Sequence, residues 1–412
     1  MRRRLRPLVT SFVMGFTCGA PFLVVATLFQ AWLKDGGVDI TLIGLFALAK
    51  LPYSVKFLWA PALDYLAPFG ERRRGFIFLS QLSLILGILY FSTINPKSII
   101  EVSIAAIWVS FSSASQDIAV DAYRREDLSD EELPSGISAY MWGYRLGMVA
   151  VSGGGLILAD IQGWPQVFRL AALCLLVGPL ILLFSPEPKR GGEHPSSFLE
   201  SVRAPILDFI RRDKALLLFA FVLLYRLGEQ LIMSLNTVFF LEAGYSKTQI
   251  GLVVKGFGLT ATLFGVFLGR LWIGRKGVGK SLWAFGWLQL GNIAALTALW
   301  YLPPNISYLA FFITLDHVIV GACGMVFATY LTAQTRIGYT ATQYAILTSV
   351  MALPATILSS PAGWLVSVLG WPGFYLLGAV LVLPGLAILR ALTRPGPGSA
   401  ASPRAGPDAG NP

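Results

Sequence analysis

Charge is what this sequence holds least of. Only 13% of its 412 residues are Asp, Glu, Lys or Arg, about half the ~25% of an ordinary soluble domain. A water-soluble chain of this length would divide into two or three domains, each needing a charged exterior. Soluble enzymes and nucleic-acid-binding proteins are thereby excluded. Histidine is scarcer still, with His194 and His317 alone, and the three cysteines, Cys18, Cys174 and Cys323, lie far apart in apolar surroundings. Neither a zinc site nor a disulfide framework is expected from that set. No Ser/His/Asp grouping emerges, and Gly277-Val278-Gly279-Lys280 lacks both the spacing and the preceding strand of a phosphate-binding loop. The expectation is a protein with no cofactor, no metal and no catalytic residues.

Apolar length is what the sequence has in abundance. The set Ala, Val, Ile, Leu, Met, Phe, Trp, Tyr and Cys makes up 55% of the chain, and mean hydropathy is +0.67. A bilayer core takes about 20 apolar residues per helix. Twelve such runs follow one another, near 8–33, 41–67, 75–94, 99–123, 136–160, 165–184, 214–241, 249–272, 281–302, 306–331, 341–369 and 371–392. The basic start Met1-Arg2-Arg3-Arg4 reads as the flank of the first membrane helix rather than as a cleavable leader. The spans form one six-helix half over 1–184 and another over 214–393, joined by a polar, basic central loop over 185–213. The Pro/Gly/Ala/Ser-rich tail, 394–412, is expected to be disordered.

A net charge of +10 is ordinarily a nucleic-acid signal, but its distribution says otherwise. With a cytoplasmic N-terminus, 23 of the 32 Lys and Arg fall in cytoplasmic segments; only Lys34, Lys97, Arg169 and Lys247 lie on the other side. Both termini are therefore expected in the cytoplasm, with membrane lipid and not nucleic acid as the surrounding partner. An internal repeat supports the two halves. A shift of 207 residues superposes Thr41, Ile43, Gly44 and Leu45 on Thr248, Ile250, Gly251 and Leu252, Gly163-Trp164-Pro165 on Gly370-Trp371-Pro372, and Pro188 on Pro395.

Eight charged residues fall inside the spans: Lys50, Lys56, Asp117, Arg145, Arg226, Glu229, Lys255 and Asp316. Each costs at least ~2.5 kcal/mol near the bilayer centre, so they should face a wet cavity or one another. Arg226 and Glu229, three apart, share a helix face. They form either a static clamp between helices or a proton-sensitive pair in which protonated Glu229 releases Arg226 to an anionic solute. Asp316 lies at similar depth, beside His317, which is a relay or a packing residue. Asp117 and Arg145 differ in depth by only about 5 Å and can pair or share a ligand. Lys50 and Lys255 are anion anchors or snorkelling chains, and Lys56 needs an acidic or carbonyl partner. Gly153-Gly154-Gly155 fits close helix packing or gating. Together these residues point to a proton-driven carrier of a polar, anionic solute.

Twelve spans in two halves with a basic central loop resemble the major facilitator superfamily of secondary transporters. Ala60-Pro61-Ala62-Leu63-Asp64 followed by Gly70-Glu71-Arg72-Arg73-Arg74 resembles that superfamily's signature between the second and third helices, with Ala60 for the usual Gly and a longer spacer. Asp64 with Arg72, Arg73 and Arg74 is then a candidate ion-paired gate on the cytoplasmic side, or ordinary interfacial charge. More specifically, Ser113-Ala114-Ser115-Gln116-Asp117-Ile118, Gly143-Tyr144-Arg145-Leu146-Gly147-Met148, Leu224-Tyr225-Arg226-Leu227-Gly228-Glu229 and Ala341-Thr342-Gln343-Tyr344-Ala345 resemble the AmpG muropeptide permeases along essentially all twelve spans.

That resemblance implies an inner-membrane carrier that imports GlcNAc-anhydroMurNAc and its peptides with protons for cell-wall recycling. Glu229, Asp316 and Asp117 would carry the proton; Gln116, Tyr144, Arg145, Tyr225, Arg226, Lys255 and Gln343 would contact the amino-sugar peptide substrate. Arg226 and Glu229 stand where Lys and Asp are expected in well-known members, and Asp316-His317 where Glu-Asn is expected. Acetyl-CoA-type carriers share part of the pattern, and a wall-fragment receptor or scaffold is the non-transport alternative.

Overall fold

The computed structural model describes residues 2–24, 28–38, 46, 49, 51–188, 197–359 and 361–393. Lys50, the repeat residues Thr41 to Leu45 and the tail 394–412 lie outside these, as does the side chain of Lys255. The described residues are helical almost throughout. Among the described residues, nine helices are long and apolar enough to cross a bilayer: Arg72–Phe91, Ile99–Asp127, Leu133–Gln162, Trp164–Leu183, Ala215–Glu242, Leu252–Lys276, Val278–Tyr301, Ile306–Ala333 and Ala362–Leu392. The other three of the twelve crossings are not among these nine. The first contains Arg2–Leu23 and Phe29–Asp35, the second Leu51–Val55 and Ala60–Tyr65, and the eleventh Thr340–Ser359.

Glycine sets several of the boundaries. Gly163 (φ 79°, ψ 166°), Gly277 (φ 78°, ψ 165°) and Gly370 (φ 66°, ψ 172°) share one backbone conformation that a side chain disfavours, and each turns one crossing into the next. The break at Gly370 divides Ala362–Leu392 into the end of the eleventh crossing and the twelfth. The first and fifth helices approach so closely that a Cβ on Gly15 or Gly19 would stand 2.1 Å from the Tyr140 or Tyr144 carbonyl oxygen. A Cβ on Gly143 would stand 1.9 Å from that of Phe12. This paired small-xxx-small contact is how helices associate where apolar solvent gives no hydrophobic drive. Within the Gly153–Gly155 run, Gly154 has open space where its Cβ would be, whereas a Cβ on Gly155 would stand 2.9 Å from the Leu28 side chain, so close packing in that run belongs to Gly155.

The 207-residue repeat reappears in side-chain contacts. Trp164 Nε1 donates to Asp35 Oδ2 at 2.9 Å, and Trp371 Nε1 donates to Glu242 Oε2 at 2.6 Å; donor and acceptor are both displaced by the same offset. The ring contact Trp32–Phe168, at 5.4 Å between centroids, likewise maps onto Phe239–Tyr375, at 4.4 Å. Each half thus ties its first crossing to its sixth in the same way.

Candidate functional site between the two halves

A cavity of about 390 Å³ separates the halves. The fourth, fifth, seventh and eleventh crossings bring Asp121, Arg124, Tyr140, Tyr144, Arg145, Arg226 and Tyr344 to its wall. Of the residues expected to contact substrate, Tyr144, Arg145 and Arg226 line it. Arg145 is exposed to the cavity, and its Nη1 meets only Met148 Sδ, at 4.0 Å. No carboxylate lies within ion-pair distance of it among the described residues. An unneutralised guanidinium in a membrane protein is costly, and it is a ready anchor for a carboxylate or phosphate.

Arg226 sits where the seventh crossing breaks. Its own dihedrals (φ −108°, ψ 12°) separate Ala215–Leu224 from Leu227–Met233. Its guanidinium grips Glu229 with two hydrogen bonds, Nε to Oε2 at 2.9 Å and Nη2 to Oε1. Gln289 Nε2 also donates to Glu229 Oε2, at 2.6 Å, and Cys323 Sγ donates to Gln289 Oε1, at 2.9 Å. Glu229 is 2% exposed, behind Arg226. Asp316, also buried, accepts from Asn292 Nδ2 at 2.7 Å. His317 Nδ1 lies 2.9 Å from the Ile313 carbonyl oxygen, to which it donates, and 3.6 Å from Asp316.

Other expected contact residues stand elsewhere. Tyr225 is fully buried in the second half, donates to the Leu282 carbonyl at 2.7 Å and stacks on Phe327; it packs the core and does not reach the cavity. Gln116 is likewise fully buried and donates to Thr17 Oγ1 at 3.1 Å, so it bridges the fourth and first crossings. Gln343, also sealed, donates to Asp208 Oδ2 at 2.8 Å near the mouth of the eleventh crossing. The donors of all three are occupied by nearby acceptors, and burial keeps them from a ligand, although Gln116 Oε1 has no hydrogen-bond partner among the described residues. Asp117 and Arg145 do not pair; Asp117 Oδ1 is buried without a hydrogen-bond partner among the described residues.

At the end of the bundle that carries the arginine clusters, the halves are hydrogen-bonded together. Asp64, fully buried, accepts from Thr342 N at 2.9 Å, Thr342 Oγ1 at 2.6 Å and Ala341 N at 3.3 Å, all across the interface. Arg73 Nη2 donates to the same carboxylate at 2.7 Å and to Glu126 Oε1 at 2.6 Å. Arg72 reaches Glu126 at 2.7 Å and the Gly338 carbonyl at 3.4 Å, while Arg74 holds Glu71 and the Leu182 carbonyl within its own half. On the far side of the interface, Arg270 Nε donates to Ser135 Oγ at 3.0 Å. The basic end is therefore closed beneath the cavity.

The sequence model of the Major Facilitator Superfamily matches residues 8–225. The chain is 32% identical to the anhydromuropeptide permease of Escherichia coli K12 over 92% of its own length and 78% of the relative's. It is 32% identical to the putative transporter AmpG 4 of Rickettsia conorii over 92% and 95% of the two chains. The protein belongs to the major facilitator superfamily and, within it, to the AmpG family. Its fold is also that of the proton:xylose symporter XylE, with a TM-score of 0.75 at 12% identity over 95% and 96% of the two chains. It is a multi-pass membrane transporter, not an enzyme.

Two features of this AmpG-family transporter escape a reading of spans. The fourth helix does not end at the membrane boundary near 123 but runs to Asp127, so Arg124 is a helix residue, 3% exposed, rather than a loop cation. It pairs with Asp121 at 2.7 Å and lies 4.2 Å above the Tyr140 ring. The spacing Asp117, Asp121, Arg124 continues one helical face and is the signal that could have found it. Glu126, the buried anion that gathers Arg72 and Arg73, carries no such periodic mark.

Proposed function

We propose that this transporter imports anhydromuropeptides, GlcNAc-anhydroMurNAc with or without peptide, across the bacterial inner membrane in symport with protons. Both termini then lie in the cytoplasm, and the closed basic end faces it. The observation that carries the reading is the cavity wall itself, where Arg145, without a carboxylate partner among the described residues, stands with the Tyr140, Tyr144 and Tyr344 rings and with Arg226, which holds Glu229 behind it. Peptide carboxylates suit Arg145, and sugar rings pack on aromatic faces. The Escherichia coli relative, an anhydromuropeptide permease, supports the same substrate class.

Coupling follows from the pair. While Glu229 is ionised it holds Arg226 bidentately, and the two charges cancel. Protonating Glu229 withdraws one partner, which strands the guanidinium at a cost of about 3–5 kcal/mol unless a substrate anion replaces it. Proton and substrate thus favour one another's binding. When the substrate leaves on the cytoplasmic side, Arg226 reclaims Glu229 and expels the proton. Glu229→Gln mimics the protonated state, so it is expected to abolish concentrative uptake while sparing substrate exchange across proteoliposomes. A variant that still accumulates labelled anhydromuropeptide against its gradient would place the proton on another residue. Competition by CoA esters would instead favour an acyl-CoA carrier, and binding without flux a receptor.

A further inference from the structure

Outside the bundle, one helix exposes apolar side chains beside a surplus of arginine. Residues Phe198–Ile210 form a connector helix, its start capped by Ser197, whose hydroxyl accepts from Glu200 N at 3.2 Å. One face, Ser201, Pro205 and Phe209, is buried. A second stripe is open: Leu199 is 71% exposed, Ile206 43% and Ile210 64%. Positions 199, 206 and 210 repeat at helical spacing, so the stripe is continuous. At the C-terminal end of the helix a hollow of about 380 Å³ is walled by Asp208, Arg211, Arg212 and Arg336. Three guanidinium groups stand around one carboxylate there, and two of them pair with it. Arg212 Nη2 stands 2.5 Å from Asp208 and Arg336 Nη1 3.5 Å, while Arg211 has no carboxylate within ion-pair distance among the described residues.

We propose that this hollow binds an anionic phospholipid, with the phosphate on Arg211, Arg212 and Arg336 and the acyl chains along Leu199, Ile206 and Ile210. The occupant needs both parts. A soluble anion satisfies the guanidinium groups and leaves the stripe in water, and a neutral lipid covers the stripe and leaves the positive surplus unmatched. The position also gives the lipid a lever on the transporter. Asp208, which a phosphate would displace from Arg212 and Arg336, also accepts from Gln343 Nε2 at 2.8 Å, and Gln343 Oε1 accepts from Arg336 N at 2.7 Å. Gln343 follows Thr342, the residue that closes on Asp64. The connector helix touches both halves, through Phe198 against Tyr65 and through Arg212 on the Gln334 carbonyl. A headgroup that frees Asp208 therefore loosens the start of the eleventh crossing and with it the closed basic end.

The test reconstitutes the full chain in nanodiscs holding equal amounts of phosphatidylglycerol and phosphatidylcholine with identical acyl chains, and counts retained lipid by native mass spectrometry. Each base near an anionic surface contributes roughly a five-fold factor, so phosphatidylglycerol should be retained at least ~5-fold over phosphatidylcholine. The preference should vanish in Arg211→Gln/Arg336→Gln. Ile206→Ser/Ile210→Ser, at exposed positions that leave the fold intact, should reduce retention of both lipids. Equal retention of the two lipids, an undiminished preference in the arginine variant, or displacement by millimolar inorganic phosphate alone would each overturn the proposal. Spin labels at Phe69→Cys and Lys276→Cys should report a larger separated population at the basic end with phosphatidylglycerol present. A distance distribution indifferent to the lipid would remove the regulatory half of it.

Discussion

Asp64→Asn is expected to open the basic end. The native carboxylate receives the Thr342 amide at 2.9 Å and hydroxyl at 2.6 Å on Oδ2, and Arg73 at 2.7 Å on Oδ1. An asparagine of the same shape must turn its NH₂ toward one of these donor sets. Facing Arg73 it meets a guanidinium held in place by Glu126 at 2.6 Å; facing Thr342 it loses the Thr342 amide bond, while the hydroxyl turns to accept and the Ala341 amide keeps the other oxygen. A hydrogen bond to a charged group contributes about 1.5–3 kcal/mol, so the closed state loses about that much. At ~1.4 kcal/mol per decade that is roughly a 10- to 100-fold shift of the equilibrium. Arg73 keeps Glu126, so the protein should remain folded. Pulsed electron paramagnetic resonance between labels at Phe69→Cys and Lys276→Cys reads the outcome. A Cys174→Ser background removes the one exposed native thiol. A longer distance component should dominate in Asp64→Asn. Thr342→Val, which deletes only the hydroxyl donor, should shift the equilibrium by about ten-fold. An unchanged distribution in Asp64→Asn would refute the assignment of Asp64 as a closing contact.

Arg145→Gln should raise the substrate concentration needed for half-maximal uptake by ten-fold or more, since a charge-assisted contact is about 1.5–3 kcal/mol, with the thermal midpoint little changed. Tyr225→Phe should do the reverse, lowering stability by ~1 kcal/mol through loss of the Leu282 bond while leaving substrate affinity intact; a large affinity change would return Tyr225 to the site. Gly143→Leu should lower the melting temperature sharply, because even a Cβ stands 1.9 Å from the Phe12 carbonyl and overpacking costs ~1–3 kcal/mol or more. Burial alone would raise the Asp208 carboxyl, but hydrogen bonds from Arg212 and Gln343 and the charges of Arg212 and Arg336 hold it below its ordinary value. The tie it makes from the connector helix to Arg336 and Gln343 is therefore complete above the unfolded carboxylate value of about 3.9 and is lost only as pH falls through the lower folded value. Hydrogen exchange over 198–210 should be steady, after correction for intrinsic rates, between about pH 5 and 8; a loss of protection near pH 6 would contradict this.

How much was legible in the sequence depended on distance along the chain. Arg226 and Glu229 meet because three residues on a helix share a face, and the Gly-Trp-Pro repeat announces two halves joined by like connections. The closing partners of Asp64 lie more than 270 residues away, where no spacing rule reaches. Tyr225 and Gln116 were misplaced for a different reason. In a bilayer a helix is apolar on every side, so hydropathy cannot separate the face toward the cavity from the face toward the core. Arg124 was hidden by reading the membrane boundary as the helix end, although helices commonly continue past it.

The central claim is that this transporter moves anhydromuropeptides by coupling them to protons. The most direct measurement is uptake of labelled GlcNAc-anhydroMurNAc-peptide into proteoliposomes with an imposed inward proton gradient. Accumulation above the external concentration, abolished by a protonophore, is the expected result. No uptake, or uptake of the same extent with the gradient collapsed, would contradict it.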